Sequence, residues 1–287
     1  MKGYQFEDTQ GTFHLKKAEN ISYLYFPIAG EAGLKSSLTP NLGGDAKIDQ
    51  NTFLLEPVSA ENLVNNRNSR NFWCNVKGIG SWSLTGNAAE ALSKKFTEMQ
   101  DDSEVTAGFM WQKTTRESKK YQLRGEILSF IPVEKNVEVM LVTITNTGRM
   151  AQTVTPTAAI PLYGRSADNI RDHRHVTSLL HRIETTDIGV LVTPTLSFDE
   201  RGHQVNHMTY YCVGWSGNGE KPVDFYPTAE DFVGEGGNFE RPYAIVKKAE
   251  GVKAGTRIEG LEAVGGLHFS EVTLEPEEEC SYLIFTG

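Results

Sequence analysis

The chain has 287 residues, 39% hydrophobic and 23% charged, with a formal net charge of −9; it is long enough to bury a full core and its charge repels a phosphate backbone. Its basic runs are only the pairs Lys16-Lys17, Lys94-Lys95, Lys119-Lys120 and Lys247-Lys248, so nucleic acid is excluded as a partner. Cys74, Cys212 and Cys280 are far apart with no C-x-x-C pair, which argues for a reducing compartment and against a structural metal. The polar N-terminal segment and the lack of any run of about 18 apolar residues give the expectation of a cytoplasmic protein with no membrane partner.

In chain order, the first distinctive stretch is the glycine-containing loop Gly30 to Asp45. It carries neither G-x-x-x-x-G-K-[ST] nor dinucleotide-binding spacing, so it reads as a structured loop meeting another surface. Ser59 to Leu63 could start a brief helix. The segment Ser59 to Trp73 crowds Asn62, Asn65, Asn66, Arg67, Asn68, Arg70 and Asn71 ahead of Phe72 and Trp73. Asn, Arg and an aromatic ring are the types that hold sugars through paired hydrogen bonds and stacking. The plainer reading makes Phe72 and Trp73 the start of a core strand and gives Asn and Ser to turns; the asparagines fit either role. Thr85 to Phe96 holds an Ala/Glu/Leu/Lys stretch of helical type.

From Thr106 onward the chain reads as strands. Phe109 to Thr115, Tyr121 to Phe130, Val137 to Asn146, Thr153 to Ile160, Ile188 to Thr193, His207 to Trp215, Leu267 to Leu274 and Cys280 to Phe285 are rich in β-branched and aromatic residues. In the third of these both alternating faces are largely apolar, which predicts a strand inside a two-layer structure. Asn146-Thr147-Gly148, Asn218-Gly219 and Gly236-Gly237-Asn238 supply turns, and Thr228 to Phe232 reads as an N-capped helical turn. The class is therefore all-β, a sandwich with a few short helices. Gly287 follows a buried strand directly, which reads as the cut end of a longer chain.

Asp168-Asn169-Ile170-Arg171-Asp172-His173-Arg174-His175, followed by His181 and Arg182, gathers groups able to ligate a metal or move a proton. The arginines beside His173 and His175 oppose a bound cation, so a metal site is disfavoured. A polar loop pairing its arginines and histidines with carboxylates is the preferred reading, ahead of sugar or phosphate contact. There is no G-x-S-x-G elbow and no activated cysteine. No catalytic residue, metal site or cofactor is assigned, and sequence does not show which acids lie close enough for glycoside chemistry.

Those three segments also carry a resemblance. The stretches NTFLLEPVSAENL (51–63) and YGRSADNIRDHRHVTSLLHRI (163–183) are similar to the N-terminal domain of glycoside hydrolase family 94, formerly glycosyltransferase family 36. Within it the chain most resembles the 1,2-β-oligoglucan phosphorylases and the related region of cyclic β-1,2-glucan synthases. The resemblance covers nearly the whole chain. It implies one large twisted antiparallel β-sandwich over 1–287, of the galactose-mutarotase-like supersandwich type, followed in the parent by a linker and an (α/α)6 catalytic barrel that this chain lacks.

It further implies inverting phosphorolysis of β-glucosidic bonds, in which phosphate attacks the anomeric carbon to give α-glucose 1-phosphate and a carboxylic acid on the barrel protonates the leaving oxygen. The chain is then expected to be inactive alone. Its partners would be its own barrel, with β-glucan oligosaccharides and phosphate met through the parent, and a homodimer is carried as a further possibility. The implied interface or sugar-contact residues are Asn62, Arg67, Arg70, Arg165, Asp168, Asn169, Arg171, Asp172, His173, Arg174 and His175. A polar, exposed face is expected from the loops Gly30 to Asp45, Ser59 to Arg70 and Gly164 to Arg182. One departure stands out: Val64, Asn65, Asn66 and Asn68 occupy positions where relatives carry a histidine and charged residues. The alternative is a free-standing carbohydrate-binding or epimerase-like sandwich using His173, His175 and nearby acids.

Overall fold

The structure is a computed structural model that describes residues 3–21, 24–60, 68–171, 174–199 and 202–287. It is built almost entirely from antiparallel sheets. The largest has eleven strands in the order Tyr4–Phe6, Phe13–Lys16, Asp102–Gly108, Trp111–Ser118, Leu123–Phe130, Glu138–Asn146, Glu279–Thr286, Tyr210–Ser216, Gly189–Pro194, His181–Thr185, Arg257–Glu259. A second sheet has Asp224–Thr228, Ala263–His268, Gln152–Pro161, Asn71–Val76 and Gly80–Ser83 in order, with Val272–Leu274 also on Gln152–Pro161. A four-stranded sheet runs Phe26–Ala29, Lys35–Leu38, Ala46–Asp49, Thr52–Leu55, and Leu196–Asp199 pairs with Gly202–Val205.

Alternation decides the layering, because successive strand side chains point to opposite faces. Along Trp111–Ser118 every second residue, Gln112, Thr114, Arg116 and Ser118, is buried. Along Glu138–Asn146 the inward residues are Glu138, Met140, Val142 and Ile144. Met140, Val142 and Ile144 meet Phe72, Cys74 and Val76 from the second sheet, Leu38 from the small sheet and Leu34 and Leu42 from its connecting segments in one continuous core. The eight strands expected after Thr106 are all present, shifted by up to three residues at their ends, except that Leu267 to Leu274 divides into Ala263–His268 and Val272–Leu274.

Helices are short. Thr85 to Phe96 contributes only Ala89–Ser93. Thr228 caps Ala229–Val233, its Oγ1 accepting from the Asp231 N–H at 3.1 Å as an N-cap should. The helix expected from Ser59 falls largely on residues 61–67, outside the described residues.

A buried ion pair joins the three main sheets. Arg70, fully buried just ahead of Asn71–Val76, forms a bidentate pair with Glu138: Nε donates to Oε1 and Nη2 to Oε2, the latter at 2.7 Å. Its other N–H groups meet the carbonyls of Leu42, Gly44 and Asp45 and the Ser69 hydroxyl, so all five donors are answered. Ser36 on Lys35–Leu38 donates to Glu138 Oε2 at 2.5 Å. The loop that offers those carbonyls needs Gly44, whose φ is +114° and where a Cβ would lie 1.9 Å from the Ser37 carbonyl oxygen. No L side chain fits there.

Removing one partner of such a pair strands a buried charge, and Arg70→Met or Glu138→Leu alone is expected to lower unfolding stability by about 3 to 5 kcal/mol. The double variant is expected to recover much of that loss. Chemical denaturation of the three variants checks it: a double variant no better than the sum of the singles would show that the pair is not coupled.

Candidate interaction surface

The residues singled out from the sequence divide into three groups. Asn62, Arg67, Asp172 and His173 lie outside the described residues. Arg174 and His175 fall on the short helix Arg174–Ser178. The others are placed, and of the three loops expected to form an exposed polar face Gly30 to Asp45 does otherwise, while Ser59 to Arg70 lies mostly outside the described residues. From Gly30 to Asp45, Leu34, Leu38 and Leu42 enter the core, and Ser36, Thr39, Pro40, Gly43 and Gly44 are buried with them. The reason is the spacing of those three leucines, which sets one apolar side of the hairpin and its loop against the main sheet. Arg70 is equally removed from any surface by Glu138.

In the third loop, Asp168 and Arg171 are exposed on the 3-10 helix Ala167–Arg171, while Asn169 is buried. Arg165 is buried too, and its Nη2 donates to Glu262 Oε1 at 2.9 Å. Its Nε and Nη1 have no acceptor among the described residues. The guanidinium lies 5.2 Å from the Tyr163 ring, a favourable placement for a cation. His181 is completely buried, with Nδ1 3.2 Å from the Leu261 carbonyl oxygen. A carbonyl only accepts, so that contact places an N–H on Nδ1. Arg165 and Glu262 thus form a buried ion pair beside this segment, and His181 meets a backbone carbonyl rather than a carboxylate.

Burial, then the nearby Arg165, push the His181 pKa down to about 3 from 6.5. The imidazole is therefore neutral in the fold and takes a proton only on unfolding. Stability from it is complete above the unfolded value and is lost as pH falls below 6.5, down to the folded value. Between about pH 7 and pH 5 the loss comes to about 2 kcal/mol. Urea unfolding across that range is expected to show the fall, and His181→Asn to flatten it; an equally steep slope in the variant would assign the pH dependence to other groups.

The exposed feature of the molecule lies elsewhere, on the outward face of the eleven-stranded sheet. Strand register aligns its side chains into cross-strand rows. Trp111, Phe130, Val139, Phe285 and Val213 make one row. Lys113, Leu128, Leu141, Leu283 and Trp215 make the next. Polar rows follow: Thr115, Glu126, Thr143 and Ser281, then Glu117, Arg124, Thr145 and Glu279. Apart from buried Val139, the apolar residues of the two rows are only half-buried, and Trp215 stacks on Phe285 at 5.1 Å.

The second sheet shows what a completed face looks like. Its outward Trp73, Ala159, Tyr226 and Val264 are covered by Phe232, Ala244 and Ile245 of the helices Ala229–Val233 and Tyr243–Lys247. The eleven-stranded sheet has apolar rows of the same kind without such a lid from the described residues. Sequence reading saw both faces of Glu138–Asn146 as apolar but could not tell that only one of them has a layer upon it. Among the described residues no group of three His, Cys, Asp or Glu side chains could hold a metal ion, and no helix is long and apolar enough to cross a membrane.

Comparison with known proteins places this geometry. The family model described as "Glycosyl hydrolase 94, supersandwich domain" matches residues 55–287. No curated protein matches the chain. Among solved structures, a bacterial glucoamylase complexed with acarbose aligns over 99% of this chain and 35% of its own, at TM-score 0.51 and 8% identity. A polysaccharide lyase aligns over 90% of this chain and 31% of its own, at TM-score 0.38 and 11% identity. The chain spans about a third of the length of those two proteins, and the glucoamylase likeness is one of fold.

Proposed function

The chain belongs to the glycosyl hydrolase 94 supersandwich-domain family, and from that premise we propose that it is the non-catalytic sandwich domain of an inverting β-glucoside phosphorylase acting on β-1,2-oligoglucans. Its task is to carry the catalytic helical barrel and to help complete the substrate site. The observation that supports this reading is the pair of unlidded apolar rows across Trp111–Ser118, Leu123–Phe130, Glu138–Asn146, Glu279–Thr286 and Tyr210–Ser216. A contiguous apolar face of this kind is characteristic of a docking surface, and a helical body is the natural cover, as it is on the second sheet of this same chain.

The chemistry assigned to the barrel is phosphate attack at the anomeric carbon with inversion, the C1–oxygen bond breaking as a carboxylic acid delivers its proton to the leaving oxygen. None of Arg70, Arg165, Asp168, Asn169 or Arg171 is given a part in that transfer: the two buried arginines hold structural carboxylates, Asn169 is buried in the fold, and exposed Asp168 and Arg171 are candidates for contact with the barrel or the sugar. Assembly of the parent as a homodimer is compatible with the same surfaces.

Incubation of the chain alone with β-1,2-glucooligosaccharides and phosphate is expected to release no glucose 1-phosphate. Co-expression with a helical barrel of the family is expected to give a stable complex and turnover, and Leu283→Asp or Trp215→Asp to abolish the complex while leaving the fold intact. Glucose 1-phosphate from the chain alone would overturn the non-catalytic reading, and a complex insensitive to both substitutions would overturn the docking face.

A further inference from the structure

At one corner of the large sheet the surface is no longer flat. The hairpin joining Asp102–Gly108 to Trp111–Ser118 and the segments 29–31 and 131–133 enclose an open groove of about 930 Å³, within the size range of ligand sites. The segment 29–31 is braced against the other wall, since a Cβ on Gly30 would lie 2.8 Å from both the Ile131 side chain and the Pro132 carbonyl oxygen. Phe109, Trp111 and Phe130 line the groove, together with Thr106, Lys113 and Glu31.

The aromatic side chains are presented rather than packed away. Phe109, at the hairpin tip, is 84% exposed. The Trp111 indole lies flat over Gly108, where a Cβ would come 2.7 to 2.8 Å from ring atoms Nε1, Cε2 and Cζ2. Glycine at 108 is therefore what allows the ring to lie down, with one face on the backbone and the other available to the groove it lines. Among the described residues, neither Lys113 nor Glu31 is engaged in an ion pair or side-chain hydrogen bond. One carboxylate and one ammonium leave the groove without net charge, which fits a neutral ligand rather than an anion or a basic peptide.

We propose that this groove binds a neutral oligosaccharide of β-linked glucose, stacked on Trp111 and Phe109 and hydrogen-bonded through its hydroxyls to Lys113, Glu31 and Thr106. A β-glucopyranosyl unit carries its hydroxyls equatorially, so its C–H faces are flat and apolar while its rim is a ring of donors and acceptors. Ring faces flanked by unengaged polar groups are the complement of that distribution. The groove shares Trp111, Lys113, Leu128 and Phe130 with the Trp111–Ser118 end of the rows assigned to the barrel above, so the inference rests on a barrel that leaves that end open, while the titration below uses the chain without a barrel.

The test is titration of the intact chain with linear β-1,2-glucooligosaccharides, with malto-oligosaccharides as the α-linked control, followed by calorimetry and tryptophan fluorescence. Saturable binding is expected for the β-linked series, weakened at least about tenfold, as when one aromatic anchor is lost, in Trp111→Ala. Phe109→Ala, at an exposed tip that the fold does not need, is expected to weaken binding as well, and Trp215→Ala to leave it unchanged. Gly108→Ala is expected to act like Trp111→Ala by lifting the indole. Absence of saturable binding, or binding untouched by Trp111→Ala and Phe109→Ala, overturns the proposal. So does concentration-dependent dimerisation that the β-glucan fails to compete and Trp111→Ala abolishes, since a second copy would then be the occupant. None of these outcomes alters the expected inactivity of the chain or its association with a barrel, so the two readings fail separately.

Discussion

The Arg70–Glu138 pair is the constraint on which the arrangement of the sheets depends. Taking a guanidinium and a carboxylate out of water costs several kcal/mol per ion, recovered only when geometry and secondary hydrogen bonds are complete. Completing them here requires three separate pieces of chain: the approach to Asn71–Val76, the first residue of Glu138–Asn146, and the Leu42–Asp45 carbonyls with Ser36. Apolar packing alone tolerates sliding of one sheet over another, because it is non-directional. A bidentate pair with every donor answered does not. It sets the small sheet against the large one at a single register, and the loop that wraps it has to hold Gly44 in a conformation closed to other residues.

The same interior has a polar seam. Gln112, Thr114 and Arg116 point inward from Trp111–Ser118, where Gln112 donates to the Thr39 carbonyl at 3.1 Å and Arg116 to Asn41 Oδ1 at 3.0 Å. Both acceptors lie on the loop that also wraps Arg70. Loop 39–45 is therefore held by side chains from two directions, which explains why a stretch of Thr, Pro, Asn, Gly and Asp around Leu42 is largely buried. Polar groups of this kind are costly unless answered, so the loop and the inward polar residues require one another.

The strands after Thr106 were legible because they carry period-two patterns and turn residues that act locally: Asn146 Oδ1 accepts from the Gly148 N–H at 2.9 Å within its own turn. The family was legible from the two long stretches at 51–63 and 163–183. The burial of loop Gly30 to Asp45 was not, since its three leucines stand among residues typical of a surface loop and the groups they pack beside, Glu138 and Gln112 among them, lie far along the chain. For the same reason Arg70 looked like an interface residue. Nothing near position 70 announces a carboxylate 68 residues away. The unlidded face was half legible: apolar residues on both sides of Glu138–Asn146 say that both faces want cover, but only register shows that Leu141 shares a row with Leu128, Leu283 and Trp215.

An apolar face of that extent has to survive in water before anything covers it, and the fold limits the hazard in two ways. Within the rows the side chains shield one another, as Trp215 does on Phe285, so all but the buried Val139 are half-buried. At the margins the sheet closes with three-residue strands, Tyr4–Phe6 and Arg257–Glu259, the second framed by Arg257–Glu184 and Arg182–Glu259 ion pairs. Short edge strands discourage strand-by-strand addition, and the Arg257–Glu259 edge is charged as well. The sheet offers little length of edge for growth and is open across its face, and a partner approaches as a body laid over the rows, with side chains that interdigitate between them. An amphipathic helical surface meets that requirement, whereas another strand does not.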